Sequence, residues 1–156
     1  MTRNFAVIGA GHGGKAMAAH LALMGFKVNL YNRTFEHIEI IKKRGGIELD
    51  SAEGGPKGFG KLALVTAKMA EAIKGVDVIM VVLPSSAHGD IARSMAPHLK
   101  GGQIVVLHPG RTCGALEFVK VIRDSGCKAD VTVAEAETFI YASRSDGPAQ
   151  ARIFRI

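Results

Sequence analysis

Short apolar runs alternate along this chain with longer segments in which apolar residues recur at helical spacing. Continuous runs of Val, Ile and Leu are typical of strands buried on both faces, as in parallel sheets, and the second pattern is typical of amphipathic helices. The predicted strands are residues 5–8, 27–31, 47–49, 62–66, 78–83, 104–107, 131–134, 139–142 and 152–156. The predicted helices are residues 13–25, 69–74, 87–99 and 115–125. A further helix is predicted to begin after Thr34, its cap, and to end at Gly45-Gly46. Alternating strands and helices predict an α/β fold with a doubly wound parallel sheet.

Length and composition fit one globular domain over residues 1–156. Of the 156 residues, 47% are hydrophobic and 22% are charged, which excludes a disordered chain. The apolar run at 78–83 is far too short to cross a bilayer, and the amino terminus lacks a secretory signal pattern. Two cysteines, Cys113 and Cys127, form neither a disulfide framework nor a metal cluster. We therefore expect a cytoplasmic protein that binds no membrane and no metal.

The positive charge favours small anionic ligands. The net charge of +6 comes from 20 Lys and Arg against 14 Asp and Glu. The basic residues are dispersed and no groove-binding module is evident, so nucleic acid is not an expected partner.

A glycine-rich motif follows the first predicted strand and opens the first helix. Gly9, Gly11 and Gly14 fit the G-x-G-x-x-G pattern of dinucleotide-binding loops, with His12 and Gly13 between them. The first glycine permits the tight turn, the second leaves room for a pyrophosphate, and the third allows the helix to pack on the sheet. The helix N-terminus then attracts the phosphates. This context predicts a Rossmann dinucleotide-binding fold; the alternative is a strand–turn–helix whose glycines serve geometry alone. His12 is a further candidate contact, with solvent exposure as its alternative.

The end of the second predicted strand favours NADP, with NAD as the second choice. An acidic residue at this place binds the ribose 2′-hydroxyl of NAD, whereas an Arg accommodates the 2′-phosphate of NADP. Here Asn32 occupies the place of the acid and Arg33 follows it. Thr34 adds a hydroxyl at the start of the next helix. The alternative is a surface arginine beside a helix cap.

Two further loops leave the carboxyl ends of predicted strands, where ligands of this fold bind. The expected cofactor contacts in these loops are Leu83, Pro84, His88, Pro109 and Gly110. His88 and His108 could instead be hydrogen-bonded loop or capping residues. The sequence contains no nucleophile elbow, and nothing indicates an activated thiol at Cys113, so no catalytic residue is predicted.

Several segments together resemble the N-terminal domain of the opine dehydrogenases, the octopine/nopaline and N-(1-D-carboxylethyl)-L-norvaline dehydrogenase group. They are the glycine loop, residues 84–88, the stretch Leu107-His108-Pro109-Gly110, the stretch Gly114-Ala115-Leu116-Glu117-Phe118, and residues 143–148. The resemblance implies an oxidoreductase that condenses an amino acid with a 2-oxo acid and reduces the imine with NAD(P)H.

In this family the catalytic His and Asp lie in a larger helical domain that follows the dinucleotide domain. The resemblance therefore implies that this helical domain would begin after residue 156 and is absent from this chain. We expect cofactor binding without turnover, and the surface left by the missing domain allows for a homo-oligomer. Asn32-Arg33-Thr34 departs from the Asp of NAD-using members and looks more like NADP-using relatives such as 6-phosphogluconate dehydrogenase.

Two alternatives stay open. One is another NADP-dependent dehydrogenase, of the ketopantoate reductase or glycerol-3-phosphate dehydrogenase type, which substrate screening of a full-length chain would distinguish. The other is a non-catalytic dinucleotide-sensing regulatory domain, for which a stop codon after residue 156 would be the evidence.

Overall fold

The chain folds into two sheets with helices around them. A computed structural model describes residues 3–52 and 54–156. The strands are β1 (Asn4–Ile8), β2 (Lys27–Tyr31), β3 (Gly46–Ser51), β4 (Gly58–Lys61), β5 (Leu64–Thr66), β6 (Val78–Val81), β7 (Ile104–Leu107), β8 (Thr132–Glu135), β9 (Ala142–Gly147) and β10 (Gln150–Arg155). The helices are α1 (His12–Leu23), α2 (Glu39–Arg44), α3 (Met69–Ala72), α4 (His88–Met95) and α5 (Gly114–Asp124).

The main sheet confirms the predicted doubly wound α/β fold. Its six strands run parallel in the order β5-β2-β1-β6-β7-β8. The order reverses between β1 and β6, and such a switch point is where ligands bind in this architecture. Alternate residues of β1 face opposite ways: Val7 joins one apolar core and Ile8 the other. Burial on both faces explains the continuous apolar runs of the central strands.

A second sheet of four strands, in the order β4-β3-β10-β9, was not predicted. The central pair, β3 and β10, is parallel, and both outer pairs are antiparallel. The prediction of a strand at 139–142 was wrong, because β9 begins where that segment ends. Both outer strands have weak strand signals: β4 reads Gly-Phe-Gly-Lys, and β9 is polar with an alternating exposed face.

Helix α1 lies between the two sheets and presents alanines to both. Ala16, Ala18 and Ala19 are fully buried. Gly60 of β4 approaches α1 so closely that an added Cβ would lie 2.6 Å from the Cα of Ala19. Small residues on both elements therefore allow the second sheet to cover the helix that follows the glycine loop.

Two predicted helices differ from the observed ones. The segment after Thr34 forms a single 3-10 turn, Phe35–His37, before α2, and Thr34 makes no side-chain capping bond. The expected helical cap was therefore wrong. The predicted helix at 87–99 begins as a 3-10 turn, Ser85–Ala87, and α4 ends at Met95. Among the helices that the structure describes, none is long and apolar enough to span a membrane.

Candidate functional site

The glycine loop joins β1 to α1 at the switch point of the main sheet. Gly9 has a φ of +111°, which favours glycine, and an added Cβ would lie 2.9 Å from the Cδ2 atom of Leu83. Gly14 sits directly on Gly9: an added Cβ would overlap the carbonyl oxygen of Gly9 and lie 2.7 Å from its carbonyl carbon. These two glycines therefore permit the turn and the close start of α1.

Gly11 differs from its neighbours because it faces open space. An added Cβ would meet no heavy atom within 4 Å in the part of the chain that the structure describes. Gly11 is the N-cap residue of α1 and provides no side-chain cap. The N–H groups of the first helical turn have no intrahelical partner, so this end of α1 can bind an anion.

Gly13 and His12 connect the loop to the second sheet. An added Cβ on Gly13 would lie 2.5 Å from the ring of Phe139, so the lack of a side chain at Gly13 allows this ring to pack against the loop. The exposed His12 accepts a hydrogen bond of 2.9 Å at Nδ1 from the backbone N–H of Ser145 in β9. In a neutral ring the proton is then on Nε2. Neither contact was predictable from local sequence patterns, because the partners lie far along the chain.

The end of β2 carries the three residues expected to select the cofactor. The side-chain amide of Asn32 connects the glycine loop with the segment after β2. Its Oδ1 accepts a hydrogen bond from the N–H of Ala10 at 3.3 Å, and its Nδ2 donates to the carbonyl of Thr34 at 2.9 Å. The exposed Arg33 has neither a hydrogen bond nor an ion pair with any described residue. Asn32, Arg33 and Thr34 line a groove of about 290 Å³ together with Gly9 and Leu83.

Leu83 and Pro84 lie at the surface after β6, whereas His88 is buried. Leu83 lines the groove, and Pro84 follows it as an exposed residue. His88 is only 1% exposed, and its Nε2 lies 3.3 Å from the carbonyl oxygen of Leu83. The side chain of His88 is therefore turned into the protein interior below the loop, and its expected contact with a cofactor stays a prediction.

The loop after β7 packs against the end of β8. The peptide bond between His108 and Pro109 is cis. Gly110 is buried, and an added Cβ would lie 2.5 Å from Oε2 of Glu135. The same Glu135 oxygen accepts a hydrogen bond of 2.6 Å from the N–H of Ala115 at the start of α5. Glu135, which the sequence did not single out, therefore fixes the loop that contains Pro109 and Gly110.

His108 is a second buried imidazole at this edge. It is 8% exposed, and burial lowers its pKa. Within residues 3–52 and 54–156, neither of its ring nitrogens has a hydrogen-bond partner. The ring stands edge-on to that of Phe139, with 6.5 Å between centroids. His108 is thus a buried ring that packs beside the aromatic side chain of Phe139, which covers Gly13.

A second groove, of about 560 Å³, lies in front of the N-terminus of α1. Its lining residues are Ala10, Gly11, His12, Lys15, Asn32, Glu36, His37, Ser145 and Pro148. Lys15 directly follows the glycine motif, and a cation in the first turns of a helix is an unfavourable placement that could have singled it out. The two grooves share Asn32 and His37, so they form one continuous path from the end of β2 across the loop. The fold and this path define a dinucleotide-binding domain.

Comparison with known proteins agrees with this class. Residues 4–114 match the family model described as the NAD binding domain of 6-phosphogluconate dehydrogenase, and the chain belongs to this family of NAD-binding domains. The expectation of a nicotinamide dinucleotide as the cofactor is thereby confirmed.

Opine dehydrogenases are among its relatives. One from Arthrobacter sp. (strain 1C) is 38% identical over 97% of this chain and 42% of its own length. Octopine dehydrogenase solved with NADH and agmatine superposes with a TM-score of 0.85 at 20% identity, over 97% of this chain and 39% of its own. Yersinopine dehydrogenase solved with NADP+ gives 0.82 at 18% identity, over 99% and 39%. The resemblance found in the sequence is confirmed, and the chain spans about two fifths of the length of these relatives.

Proposed function

We propose that this chain is the cofactor-binding part of an opine dehydrogenase-like oxidoreductase and that it prefers NADPH to NADH. The observation that carries the cofactor preference is Arg33, an exposed guanidinium without a partner among the described residues, at the end of β2. Asn32 stands where an acid would repel a 2′-phosphate, and its amide is already used to brace the loop. The guanidinium can hold phosphate oxygens with two hydrogen bonds.

The residues of the loop fit a dinucleotide. Gly11 leaves space against the backbone, and the N-terminus of α1 offers N–H groups to a diphosphate. Gly9, Gly13 and Gly14 hold the loop in the required shape, and His12 ties it to β9. Leu83 lines the groove at the end of β2, and we propose that Pro84 and the loop of Pro109 and Gly110 lie toward the nicotinamide. When bound, NADPH would supply the hydride that reduces the substrate.

We infer that the substrate is the imine of an amino acid and a 2-oxo acid, and that a second, helical domain completes its site. The identity to opine dehydrogenase along nearly the whole chain supports this inference. So do the exposed apolar side chains of Ile140, Phe154 and Ile156, which are 45%, 51% and 64% exposed. Such a surface suits contact with further protein, whether that domain or a second copy. The described cysteines are unpaired, which suits a cytoplasmic location.

Calorimetric titration of this chain with NADPH and with NADH tests the proposed preference. We expect NADPH to bind at least tenfold tighter, which corresponds to about 1.4 kcal/mol. Arg33→Ala should weaken NADPH binding and leave NADH binding nearly unchanged. Lys128→Ala is the matched control, because Lys128 is exposed in the connection from α5 to β8, at the opposite edge of the sheet. Equal affinities for the two cofactors would refute the preference.

A second measurement tests whether the chain binds the cofactor but lacks the groups that catalyse the reaction. The isolated chain, mixed with pyruvate, an amino acid and NADPH, should show no steady oxidation of NADPH. Steady oxidation would show that the catalytic groups lie within these residues and would contradict the proposed second domain.

A further inference from the structure

Lys15 is a buried cation without an acidic partner. Only 8% of its surface is exposed, although it carries an ammonium group. Across the described parts of the chain, the one hydrogen bond of its side chain goes from Nζ to the carbonyl oxygen of Gly147 at 3.4 Å, and the ammonium group forms no ion pair. Burial accordingly lowers the pKa of Lys15. One long bond to a neutral oxygen compensates little of the desolvation of a charge.

The position of Lys15 within α1 adds to this cost. It lies at the amino end of a twelve-residue helix, where the macrodipole is positive and cations are disfavoured. A hydrogen bond that merely anchors the turn after β9 does not require a charge, since a neutral donor would serve. The amino end of α1, which attracts anions, therefore holds a positive charge that has no acidic partner among the described residues.

The side chain of Lys15 lines the groove in front of the glycine loop. Gly11, His12 and Ser145 line the same groove. The Oγ atom of Ser145 is buried and lacks a hydrogen-bond partner within the described residues, while the N–H of Ser145 is held by His12. The groove thus brings the N–H groups of the first turn of α1 together with two side-chain donors. The ammonium of Lys15 has one long bond to a neutral oxygen, and the hydroxyl of Ser145 has no partner among the described residues.

We propose that Lys15 and Ser145 form a second set of contacts to the diphosphate of the cofactor, so that the β9–β10 hairpin closes over the phosphates as part of the binding site. This inference rests on the proposed function, because it assigns residues to the diphosphate of the same dinucleotide. A diphosphate would place a negative charge beside the ammonium of Lys15 and offer acceptor oxygens to the hydroxyl of Ser145. The glycine motif alone provides neither of these two contacts.

Lys15→Met tests the proposal, because methionine keeps an unbranched chain of similar length and removes the charge. We expect this variant to bind NADPH and ADP at least tenfold more weakly in calorimetry. Its binding of adenosine 2′-monophosphate, which has no diphosphate, should stay within twofold. The melting temperature without ligand should be unchanged or higher, because an uncompensated buried charge is gone. Ser145→Ala should weaken NADPH and ADP in the same pattern by a smaller factor.

Lys128→Met is the control for the loss of one positive charge far from the groove, and it should change none of these affinities. Lys15→Met that binds NADPH like the wild type, or that melts at a lower temperature without losing affinity, would overturn the proposal and make Lys15 an anchor of the hairpin. An equal loss of adenosine 2′-monophosphate binding would also overturn it. Failure of the wild-type chain to bind either cofactor would instead refute the proposed function, and this inference with it.

Discussion

The same substitution at two glycines of the loop, Gly11→Ala and Gly14→Ala, should have opposite consequences. At Gly14 the new methyl group would overlap the carbonyl oxygen of Gly9 and lie 2.7 Å from its carbonyl carbon, where ordinary contacts begin at 3.4 Å. Both atoms belong to the backbone, so neither can rotate away, and α1 itself must move. At Gly11 no heavy atom of the described chain lies within 4 Å, and its φ of −71° suits alanine.

The magnitudes follow from these contacts. Overpacking of a filled site costs about 1–3 kcal/mol, and we expect Gly14→Ala at the upper end because the clash is with backbone. For a chain of this size that lowers the melting temperature by roughly 6–12 °C. Gly11→Ala replaces one N-cap residue by a poorer one, which costs under about 1 kcal/mol. Its methyl group, however, would fill the space against the backbone where the diphosphate is proposed to lie.

Thermal unfolding and calorimetric titration with NADPH separate the two effects. We expect Gly14→Ala to lose stability, and Gly11→Ala to keep nearly all of it while binding NADPH at least tenfold more weakly. If Gly11→Ala bound NADPH like the wild type, the open side of the loop would not face the cofactor. If Gly14→Ala were as stable as the wild type, the loop could not have the close approach of Gly14 to Gly9 described above.

Two further predictions concern the buried polar groups that support the fold. The amide of Gln103 is buried and donates to the carbonyls of Ile73 and Val76 at 3.0 Å each. Gln103→Ala should therefore lower the free energy of unfolding by about 2–4 kcal/mol in urea titrations. A loss below 1 kcal/mol would mean that water replaces the amide. Tyr141 bonds His20 at 2.8 Å, and burial raises the pKa of Tyr141 from 10.0 to about 12. Because the unfolded chain releases this proton first, wild-type stability should fall by about 2–3 kcal/mol between pH 10 and 12. Tyr141→Phe should lose about 1 kcal/mol at neutral pH and show a shallower alkaline decline; equal declines in the two proteins would refute the assignment.

The main sheet was predictable because its signals are local. The run at 78–83 and Ile104–Leu107 are apolar on both faces, and each pairs with a parallel neighbour as such runs should. The second sheet was not predictable in this way. Its strand β4 contains two glycines, and β9 has few apolar residues, so these segments become strands through pairing with β3 and β10 rather than through their own preference.

The candidate site shows the same contrast between residues with a local sequence signal and residues placed by long-range contacts. Gly9, Gly11 and Gly14 were found because a turn and a close approach leave a fixed spacing in the sequence. The burial of His88 could not be predicted, because its position after β6 indicates the edge of the sheet but not the direction of the side chain. The contacts of Phe139 and Ser145 with the loop could not be predicted, because these residues lie in and just before β9, more than 120 positions further along the chain.

The bond between His12 and Ser145 spans 133 positions of the chain. In chain order, β1, the loop and α1 lie within residues 4–23, whereas the hairpin that covers this unit starts only at Ala142. Until then Gly13 faces no aromatic ring, and the alanines of α1 lack their second sheet. Contacts of such long range are slow to close, so we expect the nucleotide loop to become ordered late in folding, although β1 and α1 on either side of it are neighbours in the sequence.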